Sequence, residues 1–229
     1  MTGSKRKAND GAHGYGRLDR QVILDASLRL TARAGVTQVR FRDLGAELGA
    51  DPTAVYRHFR NKQSLIAALI ERLLEDVARN LREVDDTTTF LTTGADILFG
   101  TFLRHPAIGV HLADERPVGP AELELAERIL RSLERAGLHG QALVEHYATF
   151  SGFVLAYIAN ACRVRVTAGS AEIDDVSWMP EDVQFTAVSH PTLARYAEQV
   201  GKMDFRSTYR SAVRVIVGSI TSAAGPAPS

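Results

Sequence analysis

Thr53, Ala54, Tyr56, Arg57, His58 and Lys62 gather a hydroxyl, an aromatic ring, an imidazole and two cations into one short stretch. Arg40 and Arg42 precede it by about ten residues. These groups do not make an acid–base pair or a nucleophile with its base. They are the donors that base edges accept from and the cations that phosphates attract. Elsewhere the chain has seven histidines and many carboxylates. It has no Gly-x-Ser-x-Gly elbow, His-Glu-x-x-His pair, P-loop or cysteine cluster. Glu145 and His146 are adjacent, so on a helix they project in different directions. The Gly-x-Gly at His13-Gly-Tyr-Gly16 follows no strand and lacks a third glycine. The chemistry expected is binding without catalysis.

The elements that must position these side chains lie between Phe41 and Lys62, FRDLGAELGADPTAVYRHFRNK. Phe41, Leu44 and Leu48 fall on one helical face, and Gly49 supplies the residue at which a helix stops. Asp51 offers an N-cap and Pro52 suits a first helical position. A second helix then buries Val55 and Phe59, leaving Thr53 and Arg57 outward, Ala54 and Tyr56 on the flanks and His58 nearer the core edge. Packing gives such an outward face no purpose, whereas a major groove admits one α-helix. Arg40 and Arg42 stand at the start of the first helix, where free N–H groups also favour a phosphate. Lys62 opens the next helix behind an Asn61 cap.

This helix-turn-helix resembles that of the tetracycline-repressor (TetR) family. The run Ala54-Val-Tyr-Arg-His-Phe-Arg-Asn-Lys-Gln-Ser-Leu65 is similar to the family signature in which Tyr-x-His-Phe-x-x-Lys closes the recognition helix. Ile23-Leu-Asp-Ala-Ser-Leu-Arg-Leu-Thr-Ala-Arg-Ala-Gly35 and Leu44-Gly-Ala-Glu-Leu-Gly49 match in order and spacing. The resemblance is strong over about residues 19–66 and looser beyond. It implies DNA contacts from Arg40, Arg42, Thr53, Ala54, Tyr56, Arg57, His58 and Lys62, with Lys62 on the backbone.

Charge distribution agrees. The 229 residues carry no formal net charge, yet residues 1–62 hold twelve Lys/Arg against six Asp/Glu, a balance of +6. The remainder therefore carries −6, a basic head on an acidic body. An apolar share of 45% can bury a real core. One cysteine, Cys162, excludes an internal disulfide and suits a reducing cytosol. No segment is read as reaching the ~18–20 apolar residues of a membrane span, the longest candidate being Phe150 to Cys162. No apolar stretch follows Lys5-Arg-Lys7 to make a secretion signal. A cytoplasmic protein with no membrane partner is expected.

The fold expected is all-α, about nine to ten helices, in four parts. Residues 1–17 form a disordered basic arm (Lys5, Arg6, Lys7, Arg17) able to follow the minor groove or phosphates, or simply to be solvated. Residues 18–64 form the head, 65–223 a ligand-binding and dimerisation body, and 224–229 a disordered tail. Helix one spans about Leu18 to Ala34, with Val22, Ile23, Ala26 and Leu30 inward. Helix four runs from Lys62 to about Glu83 and ties head to body. Further helices cover Phe90–Arg104, Ala107–Leu112, Ala121–Ala136, Gln141–Val166, His190–Val200 and Asp204–Ser222, with a loop over 167–187. The last helix has Phe205, Tyr209, Val213, Val215, Ile216 and Ile220 as its core set.

The resemblance further implies a homodimer joined through the long and last helices, a palindromic double-stranded operator, and a small-molecule effector that releases it. Polar or aromatic groups within apolar helices are the candidate pocket residues: Phe99, Phe102, His111, His146, Phe150, Tyr157, Asn160 and Trp178. Val110-His-Leu-Ala-Asp-Glu-Arg-Pro117 resembles the segment whose histidine binds the drug's metal ion in the tetracycline repressor itself. The other metal contacts have no counterpart that can be placed, so no metal or cofactor is inferred. The alternative is a DNA-binding dimer without an effector, whose body contacts another protein.

Overall fold

Side-chain caps, two of them expected from sequence at Asp51 and Asn61, set several helix starts in the computed structural model, which describes residues 19–33, 35–114, 117–168 and 185–224. Asp19 accepts from the Val22 N–H and opens α1, Arg20–Thr31. Gly49, at φ 61°, closes α2, Phe41–Leu48, in the left-handed region that side chains rarely adopt. Asp51 caps α3, Pro52–Tyr56. Asn61 and Ser64 exchange side-chain and backbone hydrogen bonds in a full capping box at the head of α4, Lys62–Asn80. Asp86 caps α5, Thr87–Leu103, and proline opens α6, Pro106–Gly109. The body continues with α7, Pro120–Arg135, α8, Gly140–Ala168, α9, Pro191–Gly201, and α10, Phe205–Ala223. No strand occurs among the described residues.

Helices α1 to α3 wrap the first half of α4 around Ile23, Ala26, Leu44, Val55, Phe59 and Leu65. Each fully buried side chain of this kind contributes about 1.5–3 kcal/mol. The same apolar cluster continues down α4 into the body, so head and body share one core. The boundary expected at 64/65 falls inside the first turn of α4. Thr31, at the end of α1, meets His105 before α6, with Oγ1 and Nδ1 3.1 Å apart. Thr31 donates to the Ser27 carbonyl, which leaves Nδ1 as the donor to its oxygen. Burial, then the neighbouring Arg104, pushes the His105 pKa down to about 4, keeping the ring neutral.

In the body, α4 lies against α5 and α7, and α8 against α5, α6, α7 and α10. Two reciprocal caps tie α4 to α7. No side chain of its own caps α7; instead Glu71 of α4 accepts from the Ala121 N–H at 2.6 Å. In return, buried Arg128 of α7 donates to the carbonyls of Ala78 and Leu81 at the end of α4. Its Nε also donates to Glu83 at 2.7 Å.

Several expectations need correction. Val22 is 41% exposed, because α1 turns it away from the inward face of Ile23, Ala26 and Leu30. The second helix of the head ends at Tyr56, so Phe59 is buried from the turn that follows. Helix α4 stops at Asn80, and α5 begins a turn before Phe90, at its Asp86 cap. On α10 the buried row is Phe205, Tyr209, Val213, Val217 and Ile220; Val215, half a turn off it, is 70% exposed. The expectation about membrane-length segments also fails: α8 has 29 residues and, by length and composition alone, is apolar enough to cross a bilayer. Helical propagation carries it past the Phe150–Cys162 run on both sides, with Phe150, Val154, Ile158 and Cys162 packed in the core. The arm at 1–17, the start and end expected for helix one at Leu18 and Ala34, the tail beyond Ala224 and most of the 167–187 loop, with Trp178, lie outside the described residues.

Candidate nucleic-acid interface and body cavity

A ring contact fixes the two helices of the reading pair. Phe41 on α2 and Tyr56 at the end of α3 meet edge to face, with centroids 4.4 Å apart. Tyr56 is nonetheless 55% exposed, so one edge packs and the other meets solvent. Arg40 and Arg42 flank Phe41 in the chain. Both arginines are exposed, and Arg42 sits 3.6 Å from Asp43 in an open ion pair of little energetic weight. Arg57 and Lys62 are exposed, whereas Ala54 and His58 are half-buried at the edge of the face. Arg20 lies over the Phe59 ring at 4.4 Å, worth about 0.5–1 kcal/mol. Losing the ring's burial costs about 3–5 kcal/mol, so Phe59 is held by the core and not by the cation.

Thr53 has a more specific arrangement than its type suggests. Its N–H and hydroxyl both donate to the Asp51 carboxylate, at 2.8 and 2.6 Å. These bonds, the hydroxyl's first, hold the Asp51 carboxyl below its usual range. With its proton committed, Thr53 presents only oxygen lone pairs and a methyl group.

The concave feature of the body is separate. A partly open cavity of about 100 Å³ lies among α4, α5, α7 and α8. Leu74 and Val77 of α4, Phe90 and Leu98 of α5, Leu125 and Ile129 of α7, and Phe150 and Val154 of α8 form most of its wall. Its polar lining residues are Glu122, Tyr147 and Ser151. Among the described residues, Ser151 Oγ is buried without a hydrogen-bond partner.

Of the candidate pocket residues that the structure describes, Phe150 alone lines this cavity. Phe99 stacks on Tyr209 in the core, and Phe102 is fully buried near Cys162. The Tyr157 hydroxyl donates to the Phe205 carbonyl at 3.0 Å, and burial pushes its pKa up to about 12. His111 pairs with Asp114 at 2.6 Å, His146 Nδ1 lies 2.8 Å from its own helix at the Ala142 carbonyl, and Asn160 is exposed on α8. Trp178 is outside the described residues. Tyr147, Ser151 and Leu155 follow one another at helical spacing, a face legible in the sequence. The cavity between that face and three other helices was not.

Residues 23–69 match the family model described as bacterial regulatory proteins, tetR family, and residues 80–218 match the tetracyclin repressor-like C-terminal domain. The tetracycline repressor protein class A from transposon 1721 of Escherichia coli is 32% identical over 61% of this chain and 65% of its own. The class C repressor of Escherichia coli is 27% identical over 69% of this chain and 71% of its own. The chain thus spans just under two thirds of the class A repressor's length. The fold is shared with Streptomyces coelicolor ActR in complex with actinorhodin, at TM-score 0.72 and 21% identity over 92% of this chain and all of that one. It is shared too with a TetR variant from Acinetobacter baumannii in complex with minocycline, at TM-score 0.65 and 19% identity over 92% and 100%.

Proposed function

This chain belongs to the TetR family of bacterial regulatory proteins, its two models together covering most of the sequence, and on that premise we propose a ligand-responsive transcriptional repressor. It acts in the cytoplasm as a homodimer, binds a palindromic operator through α2 and α3, and lets go when a small molecule enters the body. The observation that carries this reading is the outward side of the reading pair: Thr53, Tyr56, Arg57 and Lys62 stand in solvent where the core has no use for them. Tyr56 and Thr53, with its methyl and lone pairs, face base edges. Arg40, Arg42 and Lys62 hold phosphates at the groove walls.

A dimer follows from geometry, since one reading head serves one half-site and a two-fold axis places two heads about 34–36 Å apart. Gly152, Ala156 and Asn160 on α8 and Val215 and Gly218 on α10 are exposed, and through these two helices a second copy packs. The body cavity takes the effector, and because binding free energies are reciprocal, operator and effector weaken each other.

Selection of bound sequences from random duplex DNA should return an inverted repeat. Against that operator, fluorescence anisotropy of Tyr56→Ala should show about tenfold or greater weakening with an unchanged melting temperature. Lys62→Ala should also flatten the salt dependence by about one unit. Wild-type affinity and salt slope in both variants would end this reading. Extracted metabolites that never release the operator favour an effector-independent dimer instead.

A further inference from the structure

We propose that the body cavity recognises an uncharged, largely apolar molecule of about one ring bearing a single hydroxyl or carbonyl, and that Ser151 is the group that reads it. This rests on the effector reading only for the consequence of binding; the class of ligand follows from the cavity. At about 100 Å³ the space is somewhat smaller than the roughly 150 Å³ apolar cavity that takes up benzene. Its open side lets a substituent run outward.

The wall excludes charge. Leucine, valine, isoleucine and phenylalanine side chains dominate, so an ion entering would lose hydration with little in exchange. The charged lining group among the described residues is Glu122. No cluster of three metal-ligating side chains occurs among the described residues, and His111, expected near a pocket, pairs with Asp114 away from the cavity.

Ser151 supplies the specificity. A serine within a helix usually turns its hydroxyl to the carbonyl four residues back or to water. Here the oxygen is buried without a protein hydrogen-bond partner among the described residues, in a residue that lines the cavity. An unmet hydroxyl in an apolar wall discriminates strongly, because a ligand that completes it gains a bond that an otherwise equal hydrocarbon cannot make. Leu74 and Val77 carry the occupancy onward, since they belong to the rod whose first residue is Lys62.

The test is calorimetric titration of the full-length protein with 4-ethylphenol, ethylbenzene, 4-ethylbenzoate and magnesium–tetracycline. The phenol should bind about five- to tenfold more tightly than ethylbenzene, with the two charged or chelated probes undetectable. In Ser151→Ala the phenol's advantage should vanish while ethylbenzene stays within about twofold, and Ala126→Phe, which fills the space, should abolish both. The proposal is overturned if Ser151→Ala keeps the advantage, if the benzoate matches the phenol, or if neither neutral probe binds at about 1 mM. Operator anisotropy run alongside separates the two readings. Ser151-dependent binding that leaves the operator complex intact supports the ligand class and removes the effector role.

Discussion

At Thr53 the hydroxyl proton already belongs to Asp51, so this residue offers acceptor and methyl character where its name suggests a donor. Replacement by Val keeps the methyl and removes the acceptor, which makes Thr53→Val a sharper probe of base reading than alanine. His105 poses the complementary question. Its pKa of about 4 lies below the about 6.5 of an unfolded histidine, so the unfolded chain binds the proton first. The neutral ring's contribution is complete above pH about 6.5 and is lost progressively as pH falls to about 4. We expect the melting temperature to drop across that window and His105→Gln to show a shallower drop in the same thermal scans.

Among the elements, α4 and α7 are the pair whose relation matters most. One touches the reading head, both line the cavity, and each supplies the other's missing cap. Removing Arg128 strands two carbonyls at the end of α4, so Arg128→Ala should cost about 2–3 kcal/mol in urea unfolding. Glu71→Gln keeps an acceptor for the Ala121 N–H but loses the charge that complements the start of α7. That variant should be about 1 kcal/mol less stable, with its operator affinity intact. A Cβ at Gly119 would lie 2.4 Å from the Glu71 carboxyl carbon, so Gly119→Ala should displace the carboxylate, break its bond to the Ala121 N–H as well, and cost more stability than Glu71→Gln.

The whole molecule leaves apolar surface that one copy does not cover. Val215 is 70% exposed in the middle of α10. A charge there would be buried unpaired between two copies of a symmetric interface. Sedimentation of Val215→Glu should show monomer at concentrations where the wild type is a dimer, with operator affinity falling because two half-sites are no longer read together. A monomeric wild type would remove the two-fold operator from the account.

The amino-acid sequence alone determined the reading pair. Gly49, Asp51, Pro52 and the Asn61 cap are local signals whose partners lie within a few residues, and the outward Thr53 and Arg57 follow from helical spacing. It also determined nearly every helix in the body, since apolar periodicity is local too. Which face of α10 is inward was not local, and Val215 and Val217 exchanged roles because burial depends on what packs alongside. Only the tertiary structure decided the cavity and the clamp. Ser151 and Leu74 line one cavity from α8 and α4, and Glu71 finds Ala121 fifty residues away. Contacts of that kind leave no periodic trace, because their spacing along the chain is set by the path of the intervening helices and not by either residue.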